Sequence, residues 1–306
     1  MTFKIVPFDE GEAQLDWQGL MQALQGGHDL PKAEIGDTLL GRGQDRMLSR
    51  AAWIDGLGLA VKTATIFPGN GKFDLPSVNG SMCLYSDADG TLDALVDFRL
   101  VTKWKTAGDS LLAAQFLARS DAQSILIVGA GTVAHSLREA YGMLYPNADF
   151  VIWNRSPDGA KALAAANPRT SATDDLEAAV RGADIVSAAT MTTAPLIRGE
   201  WLQPGQHIDL IGAYTPDMRE ADDFALQRAR IFVDSRDTTI DHIGELAIPL
   251  TQGVISKADI IADFYDLSGG GFARQSDEEI TLFKNGGGAH LDLMTGRYIL
   301  DAWKAR

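Results

Sequence analysis

Gly129 and Gly131 follow the apolar run Ile-Leu-Ile-Val and precede a helical stretch, with Ala134 completing a G-x-G-x-x-A pattern. In this context the first glycine permits a tight turn, the second lets the backbone approach a pyrophosphate, and the small third residue lets the helix pack closely on the strand. Backbone N–H groups at the helix start then face the phosphate charge. A tight turn without a ligand is the alternative. The residues expected to contact a dinucleotide here are Gly129, Ala130, Gly131, Thr132 and Val133.

The residues after the next predicted strand indicate which dinucleotide fits. Folds that prefer NAD usually carry an acid there, which accepts hydrogen bonds from the adenine ribose hydroxyl. This chain has Asn154, Arg155 and Ser156 at that position. An acid would repel a 2′-phosphate, whereas Arg155 can bind one. We therefore expect NADPH to be favoured, with NADH usable if Arg155 is only a solvated cation.

Two kinds of strand pattern surround this turn. Short apolar runs alternate with helical stretches from about residue 124 to 237, which is typical of buried parallel strands in a doubly wound α/β domain. Residues 59–100 instead contain apolar pieces separated by turn signals, which predict antiparallel strands and hairpins. The Ala- and Leu-rich stretch 106–123 is predicted to be a helix that links the two. The fold class is therefore α/β, with a Rossmann-type domain and a second, different domain.

Composition narrows the possible partners. The chain has 306 residues, enough for two domains, and a formal net charge of −14. That charge argues against a general nucleic-acid or anionic-membrane surface, which needs cations. A single cysteine excludes an internal disulfide framework and favours a reducing cytoplasm. Early acidic residues argue against a signal peptide, and no apolar run approaches the roughly 20 residues that span a bilayer.

Several separated motifs resemble those of the ornithine cyclodeaminase/μ-crystallin family. In chain order they are GLAVKTATIFPGNGKFDLPSVNG, VDFRLVTKWKTAGDSLLAAQFLARSDA, ILIVGAGTVA, ADIVSAATMTTAPLI, IGAYTPDMREAD and ITLFKNGGGAHLDL. The resemblance implies a nucleotide domain, residues 119–281, inserted into an α/β substrate-binding and dimerisation domain, residues 1–118 and 282–306. It also implies a homodimer and a small imino- or amino-acid substrate.

The resemblance also assigns roles to individual residues in both domains. Lys62 matches the family's substrate-contacting lysine, and Ser77 falls where the family often has a threonine near the cofactor. Lys105 replaces the arginine of the R-T-A motif, keeping the charge but losing the two-pronged hydrogen-bonding geometry. Arg42 is the best match for an arginine that binds the substrate carboxylate, with Arg50 as its competitor. Further residues expected at the cofactor are Thr106, Ala189, Thr190 and Gly212, and further substrate contacts are Gly287 and His290.

Tyr214 marks a departure from the cyclodeaminases of the family, which carry a catalytic aspartate at that position. A phenol with an ordinary pKa of about 10 is a poor base near neutrality. Cyclodeamination needs proton shuttling throughout, whereas reduction of a preformed imine needs only a hydride, a proton and cations for the carboxylate. The resemblance is therefore closest to the branch that reduces cyclic ketimines such as Δ1-pyrroline-2-carboxylate or Δ1-piperideine-2-carboxylate. Lys62 and Lys105 are expected to act as anchors, with water or Tyr214 as the proton donor.

Other functions remain as alternatives. An open-chain imino acid such as iminosuccinate has the same electrostatic needs, and a cyclodeaminase, an amino-acid dehydrogenase or a non-enzymatic NADPH-binding protein would also fit the family. Asp217, Arg219 and Glu220 follow Pro216 at a predicted helix start, where acids commonly serve the helix dipole, and a catalytic role is the alternative. The histidines show no metal-ligand spacing, so no metal site is expected. No G-x-S-x-G, P-loop or HExxH motif is present.

Overall fold

The computed structural model describes residues 3–305 and divides the chain into two compact units. The first comprises Met1–Lys105 and Gly288–Arg306, and the second comprises Thr106–Gly287. The boundary falls inside one long helix, α3 (Phe98–Leu117). Each unit has its own sheet.

The first unit is built on a six-stranded sheet in the order β1-β6-β5-β4-β3-β2. Its strands are β1 (Lys4–Val6), β2 (Glu34–Arg42), β3 (Asp45–Ile54), β4 (Gly58–Ile66), β5 (Val78–Tyr85) and β6 (Leu92–Asp97). Neighbouring strands from β2 to β6 are antiparallel, and β1 pairs with β6 in parallel. Its helices are α1 (Phe8–Glu12), α2 (Trp17–His28) and α10 (Ala289–Lys304), with a 3₁₀ turn at Pro68–Phe73.

Helix α10 places the C-terminal part of the chain against this sheet. Ten of its residues are buried, including the eight consecutive residues 289–296, and the helix packs on β3, β4 and α2. The first two turns are therefore buried on all sides, and only the later part of the helix has an exposed face. The same packing brings side chains of the last helix next to those of the central strand β4.

The second unit contains an eight-stranded, entirely parallel sheet in the order β13-β12-β14-β11-β10-β7-β8-β9. Its strands are β7 (Ser124–Val128), β8 (Asp149–Trp153), β9 (Thr170–Thr173), β10 (Ile185–Ala188), β11 (His207–Leu210), β12 (Arg230–Val233), β13 (Ile260–Ala262) and β14 (Thr281–Lys284). Its helices are α4 (Thr132–Leu144), α5 (Pro157–Ala165), α6 (Leu176–Gly182), α7 (Asp223–Arg228), α8 (Arg236–Thr239) and α9 (Gly244–Thr251), with 3₁₀ turns at Gly199–Trp201, Lys257–Asp259 and Phe264–Asp266.

The strand order confirms the Rossmann-type prediction. The first strand of the unit, β7, lies between β8 and β10, so the order reverses there and leaves a crevice at the carboxyl ends of the strands. The central strands β7, β10, β11 and β14 are buried almost throughout, as their apolar sequences predict. A ligand of this unit is expected at that crevice.

The unit boundaries differ from those expected at 118/119 and 281/282. The second half of α3 belongs to the second unit because Ser110 Oγ donates to Asp209 on β11, and the Leu117 carbonyl accepts from Arg274 and Thr281. Strand β14 belongs there as well, since it pairs with β11 and β12. A second difference is the helix start expected after Pro216, because the next helix, α7, begins only at Asp223 with Asp222 as its N-cap.

Candidate functional site

The glycine turn after β7 has the geometry of a phosphate-binding turn. Gly129 has a φ of +117°, and a Cβ built on it would lie 2.8 Å from the carbonyl oxygen of Ala189. A side chain is therefore excluded for both conformational and steric reasons. Gly131 is the N-cap of the 13-residue helix α4, and a Cβ there would meet open space. The backbone at the helix start is thus accessible to an anion, and these residues fit a pyrophosphate.

The loop after β8 lies beside this turn. The Gly129 N–H donates to the carbonyl of Trp153 at 2.8 Å, which ties the two strand ends together. Asn154 is half-buried and its side chain donates to the Ser156 carbonyl at 2.9 Å. Arg155 is exposed and forms no ion pair with any residue in 3–305. Its guanidinium is therefore available for a ligand phosphate.

The ends of β10 and β11 are joined through one carboxylate. Glu220 Oε1 accepts from the N–H and the hydroxyl of Thr190 at 2.7 and 2.8 Å, and Oε2 accepts from the Gly212 N–H at 2.6 Å. The two loops pack so closely that a Cβ on Gly212 would lie 1.9 Å from the Thr190 carbonyl oxygen. The structure therefore brings together Ala189, Thr190 and Gly212, as expected for one side of a cofactor site.

The N-G-G-G segment after β14 is held by hydrogen bonds within the second unit. Asp234, at the end of β12, accepts from the Gly286 and Gly287 N–H groups at 3.1 and 2.6 Å. The Asn285 side chain donates to the Thr106 carbonyl at 3.1 Å and to Ser110 Oγ at 3.0 Å. The loop that carries Gly287 is thus fixed from two sides, and Thr106 takes part through its backbone.

Lys62 of the first unit lies in a buried ion pair. Its Nζ is 2.8 Å from Asp292 Oδ1, with only 11% and 2% of the two side chains exposed. Nζ also lies 5.1 Å from the centre of the Phe98 ring. The lysine comes from the central strand β4 and the aspartate from the first turn of α10. A buried charge needs such a partner, so this pair fixes the ammonium group in place.

Further cations lie close to this pair, and together Lys62, Lys105, Arg50 and Asp292 form what we call the cationic cluster. Burial lowers the pKa of Lys62 most, the Asp292 carboxylate opposes that effect, and Lys105 and Arg50 lower it further. Burial alone would raise the pKa of Asp292, but the three cations reverse the direction and lower it. Asp292 is therefore ionised, and the cluster retains net positive charge.

Arg50, the alternative to Arg42 as the carboxylate-binding arginine, lies at the cationic cluster. It pairs directly with Lys62 in the register of β3 and β4, and its Nε donates to Asp37 on β2 at 3.0 Å. Arg42 instead lies at the tip of the β2–β3 hairpin, with 83% of its side chain exposed and an ion pair to Asp45. The structure thus places Arg50, and not Arg42, near Lys62.

The remaining expected residues lie in different surroundings. Ser77 is exposed and its carbonyl accepts from the Phe67 N–H at 2.7 Å. Tyr214 is 62% exposed in the loop after β11. His290 is fully buried near the start of α10 and contacts the His28 ring edge-to-face, with 5.3 Å between the ring centres. Burial, followed by His28 and Lys105, lowers the pKa of His290 well below its ordinary value, so its imidazole is neutral at pH 7.

Three acids in these contacts were missing from the expected site residues. Asp292 follows the N-G-G-G motif, but nothing in its spacing indicates a lysine 230 positions earlier in the chain. Asp234 ends a strand of the Rossmann unit, a position that is itself a weak signal for a ligand-site residue. For Glu220 the sequence predicts a helix-start charge, with a catalytic role as the alternative, and the structure gives it the loop contacts described above. Within residues 3–305, no group of three or more His, Cys, Asp or Glu side chains is placed to hold a metal ion.

Comparisons with known proteins show which proteins this chain resembles. The profile of the ornithine cyclodeaminase/mu-crystallin family matches residues 11–306. The Δ1-pyrroline-2-carboxylate reductase of Paracoccus denitrificans (strain Pd 1222) is 49% identical over 302 residues, which covers 97% of this chain and 96% of that protein.

Two solved structures share the whole fold. One is the Thermococcus litoralis Δ1-pyrroline-2-carboxylate reductase in complex with NADH and L-proline, with a TM-score of 0.89, 25% identity and coverage of 98% of this chain and 97% of that one. The other is an archaeal alanine dehydrogenase dimer with bound NAD, with a TM-score of 0.91, 26% identity and coverage of 100% and 97%. The profile match over residues 11–306 and the 49% identity over almost the entire chain show that this chain belongs to the ornithine cyclodeaminase/mu-crystallin family.

Proposed function

We propose that this protein is an NAD(P)H-dependent imine reductase that converts a cyclic ketimine, Δ1-pyrroline-2-carboxylate, to L-proline. The observation that carries the proposal is the buried cationic cluster around Lys62, in a chain whose other unit has a dinucleotide turn. The 49% identity to a Δ1-pyrroline-2-carboxylate reductase over almost the entire chain supports the choice of substrate. The six-membered Δ1-piperideine-2-carboxylate carries the same reacting group.

The cationic cluster supplies what an imino acid needs. Lys62 and Lys105 are both buried, so their attraction for a carboxylate is weakly screened by water. Arg50 adds a planar guanidinium that can bind a carboxylate through two hydrogen bonds. Their charge also withdraws electrons from the neighbouring C=N carbon. These residues therefore bind the substrate carboxylate and favour hydride addition at that carbon.

The nicotinamide cofactor supplies the hydride when bound. Gly129, Ala130, Gly131, Thr132 and Val133 would hold its pyrophosphate, because the backbone there is open and begins a long helix. Ala189, Thr190, Gly212 and Thr106 would line the rest of the site, with Ser77 near it. Asn154, Arg155 and Ser156 would hold the adenine ribose, and the unpaired Arg155 favours NADPH over NADH.

The imine nitrogen must also gain a proton. Tyr214 is exposed and water reaches it, so either the phenol or bulk water serves as the donor. His290 is buried and neutral, which suits packing at the substrate end of α10, and Gly287 offers a backbone contact there. No aspartate takes the place of Tyr214, and this absence of a strong base favours imine reduction over cyclodeamination.

We also propose that the protein is a homodimer that uses the open face of the first unit's sheet. A groove of about 350 Å³ on this face is lined by β2, β3 and β4, including Ile35, Trp53 and Val61. All nine residues of the edge strand β2 are exposed, among them Leu39 and Leu40. An exposed edge strand with apolar side chains needs a cover, and a second copy of the chain supplies one.

The assay that tests the function follows NADPH oxidation at 340 nm with Δ1-pyrroline-2-carboxylate. Rapid oxidation with this imine is the expected result. L-ornithine plus NADP⁺ is expected to release no ammonia, which is measured directly because cyclodeamination returns the cofactor to its starting oxidation state and leaves the absorbance at 340 nm unchanged. Turnover only with iminosuccinate would reassign the substrate to an open-chain imino acid. Turnover with ornithine or alanine would indicate a cyclodeaminase or dehydrogenase. NADPH binding without any turnover would indicate a binding protein.

A further inference from the structure

Glu220 is a fully buried carboxylate at the carboxyl ends of two adjacent parallel strands. The imine-reduction chemistry proposed above does not use it. Burial of a carboxylate is costly, so its presence there calls for a compensating role. All three hydrogen bonds of its side chain go to the loops that follow β10 and β11.

The backbone of Glu220 is itself fixed in place. Its N–H donates to Glu245 Oε2 at 2.7 Å, and its carbonyl accepts from the N–H groups of Leu196 and Ile197 at 2.8 and 2.9 Å. Because the backbone is held in this way, the Glu220 side chain has little freedom to move with the two loops that it contacts. The position of the carboxylate therefore determines the positions of the loops.

The groups around Glu220 affect its pKa in opposite directions. Burial raises the pKa of Glu220 to about 8, with Lys284 and the Thr190 hydrogen bonds acting to lower it and Glu245 acting to raise it. Lys284 is fully buried, and its Nζ donates to the carbonyl of Leu210, the last residue of β11, at 2.9 Å. Backbone N–H groups can only donate, so those of Thr190 and Gly212 hold an oxygen atom at each end of the carboxylate.

We infer that Glu220 is a positioning residue for the dinucleotide: by joining Thr190 to Gly212 it sets the spacing of the two strand-end loops that receive the nicotinamide half of the cofactor. The inference rests on the proposed function in taking these loops as part of the cofactor site. The near contact of Gly212 with the Thr190 backbone leaves no room for the loops to approach further, so the carboxylate acts by preventing them from separating.

The test compares two isosteric variants, Glu220→Gln and Glu245→Gln. An amide cannot accept at both ends, so Glu220→Gln must abandon either the Gly212 N–H or the two Thr190 donors. Glu245 is equally buried and also faces Lys284, but its acceptor bonds go to the backbone of Glu220 and Ala221. The amide of Glu245→Gln keeps one of these acceptors, and Leu196 and Ile197 still hold the Glu220 carbonyl, so the Glu220 side chain keeps its place in this control. Both variants are expected to lower the melting temperature. Only Glu220→Gln is expected to raise the Kd of NADPH and NADH strongly.

The readouts are the Kd from nicotinamide fluorescence and the kinetic constants with the imine. Glu220→Gln is expected to raise the Kd and the cofactor KM about tenfold or more, the size of the cost of leaving one buried N–H donor without its acceptor. The KM for the imine and the Kd of Glu245→Gln are expected to stay within about threefold of wild type. An unchanged Kd in Glu220→Gln, or equal rises in both variants, would show a purely structural role and overturn the inference.

A second pair covers the case in which Glu220→Gln does not fold. Thr190→Val removes the hydroxyl that donates to Glu220, whereas Thr190→Ser keeps it. A weaker Kd in the valine variant alone supports the inference, and equal affinities contradict it. These are binding measurements, so they do not depend on turnover of an imine. If the wild-type protein binds NADPH but reduces no imine, the proposed reaction is refuted, and the Kd values of the variants still decide the role of Glu220. A wild-type protein that binds neither dinucleotide would overturn both.

Discussion

At the scale of single residues, the central feature is that Lys62 is not a free cation. Its ion pair with Asp292 neutralises part of the charge that a substrate carboxylate would meet, and Lys105 and Arg50 restore the positive balance. A lysine and an aspartate that are both almost fully buried depend on each other. Removal of either one leaves an uncompensated buried charge, which typically costs about 3–5 kcal/mol.

Asp292→Asn tests this dependence. Burial and the neighbouring cations lower the pKa of Lys62 and Asp292 raises it, so removing the carboxylate charge lowers that pKa further. Lys62 then loses its proton at a lower pH, and the alkaline limb of the kcat/KM profile is expected to move to lower pH. A pH series with the imine measures the shift. An alkaline limb that stays in place, in a variant whose circular dichroism matches wild type, would separate Asp292 from the charge of Lys62.

Arg155→Ala tests the cofactor preference. The guanidinium is exposed and unpaired within residues 3–305, so its loss is expected to leave the fold and the NADH constants unchanged. The KM for NADPH is expected to rise by about tenfold, because a charge-assisted phosphate contact is lost. Steady-state kinetics with each cofactor give the ratio of the KM in the variant to the KM in wild type. Equal changes for NADPH and NADH would mean that Arg155 does not contact a 2′-phosphate, and exposed Arg198→Ala is a control for loss of a surface cation.

At the scale of elements, strand β11 carries an unusual set of buried polar groups. Asp209 lies at its centre and accepts from the hydroxyls of Ser110, Ser187 and Tyr141 at 2.9, 2.7 and 2.9 Å. These bonds connect β11 with α3, β10 and the nucleotide helix α4. The network therefore holds the carboxyl-end loops and the glycine turn on one framework. A fully satisfied buried network of this kind specifies one arrangement of its elements.

The titration of Asp209 gives this network a predicted pH dependence. Burial raises the pKa of Asp209 from 3.8 to about 6, although the three hydroxyl donors act to lower it. The folded state therefore binds the proton more tightly than the unfolded state. The free energy of unfolding falls as the pH rises from 3.8 to about 6. For a difference of this size the loss is about 3 kcal/mol.

Asp209→Asn removes that contribution, because the three hydroxyls can turn to satisfy an amide. The difference in free energy of unfolding, wild type minus variant, is expected to fall by about 3 kcal/mol between pH 3 and pH 8. Urea titrations at several pH values measure it. A constant difference between the two proteins would show that folding does not shift the pKa of Asp209.

At the scale of the whole molecule, a formal net charge of −14 coexists with a local cluster of cations. Under the proposed function, an anionic imino acid would be repelled by the overall charge and attracted by the cationic cluster. No helix within residues 3–305 is long and apolar enough to cross a membrane. Among residues 3–305, the edge strand β2 exposes the apolar side chains of Ile35, Leu39 and Leu40.

The proposed homodimer is tested with Leu39→Lys, on the 65% exposed leucine of β2. Wild type is expected to sediment with twice the chain mass of 32.9 kDa, and the variant with the mass of a single chain. The new charge would have to be buried at the interface, which is unfavourable. Met143→Lys, on α4 of the second unit, is the matched control and is expected to remain dimeric. A wild-type protein that sediments as a single chain at micromolar concentration would refute the dimer.

The sequence by itself determined the Rossmann-type sheet, the glycine turn and the family, because these depend on local signals: β-branched runs, glycines at fixed offsets and motifs that lie within one segment. The family resemblance also predicts that Lys62 and Lys105 contact the substrate, and the structure places both in one buried cluster. The tertiary structure decided which residues neutralise or accompany them. Asp292 and Arg50 reach Lys62 through helix packing and strand register, and Glu220 joins Thr190 to Gly212 across two strands. Such contacts join distant parts of the chain, so no spacing in the sequence records them.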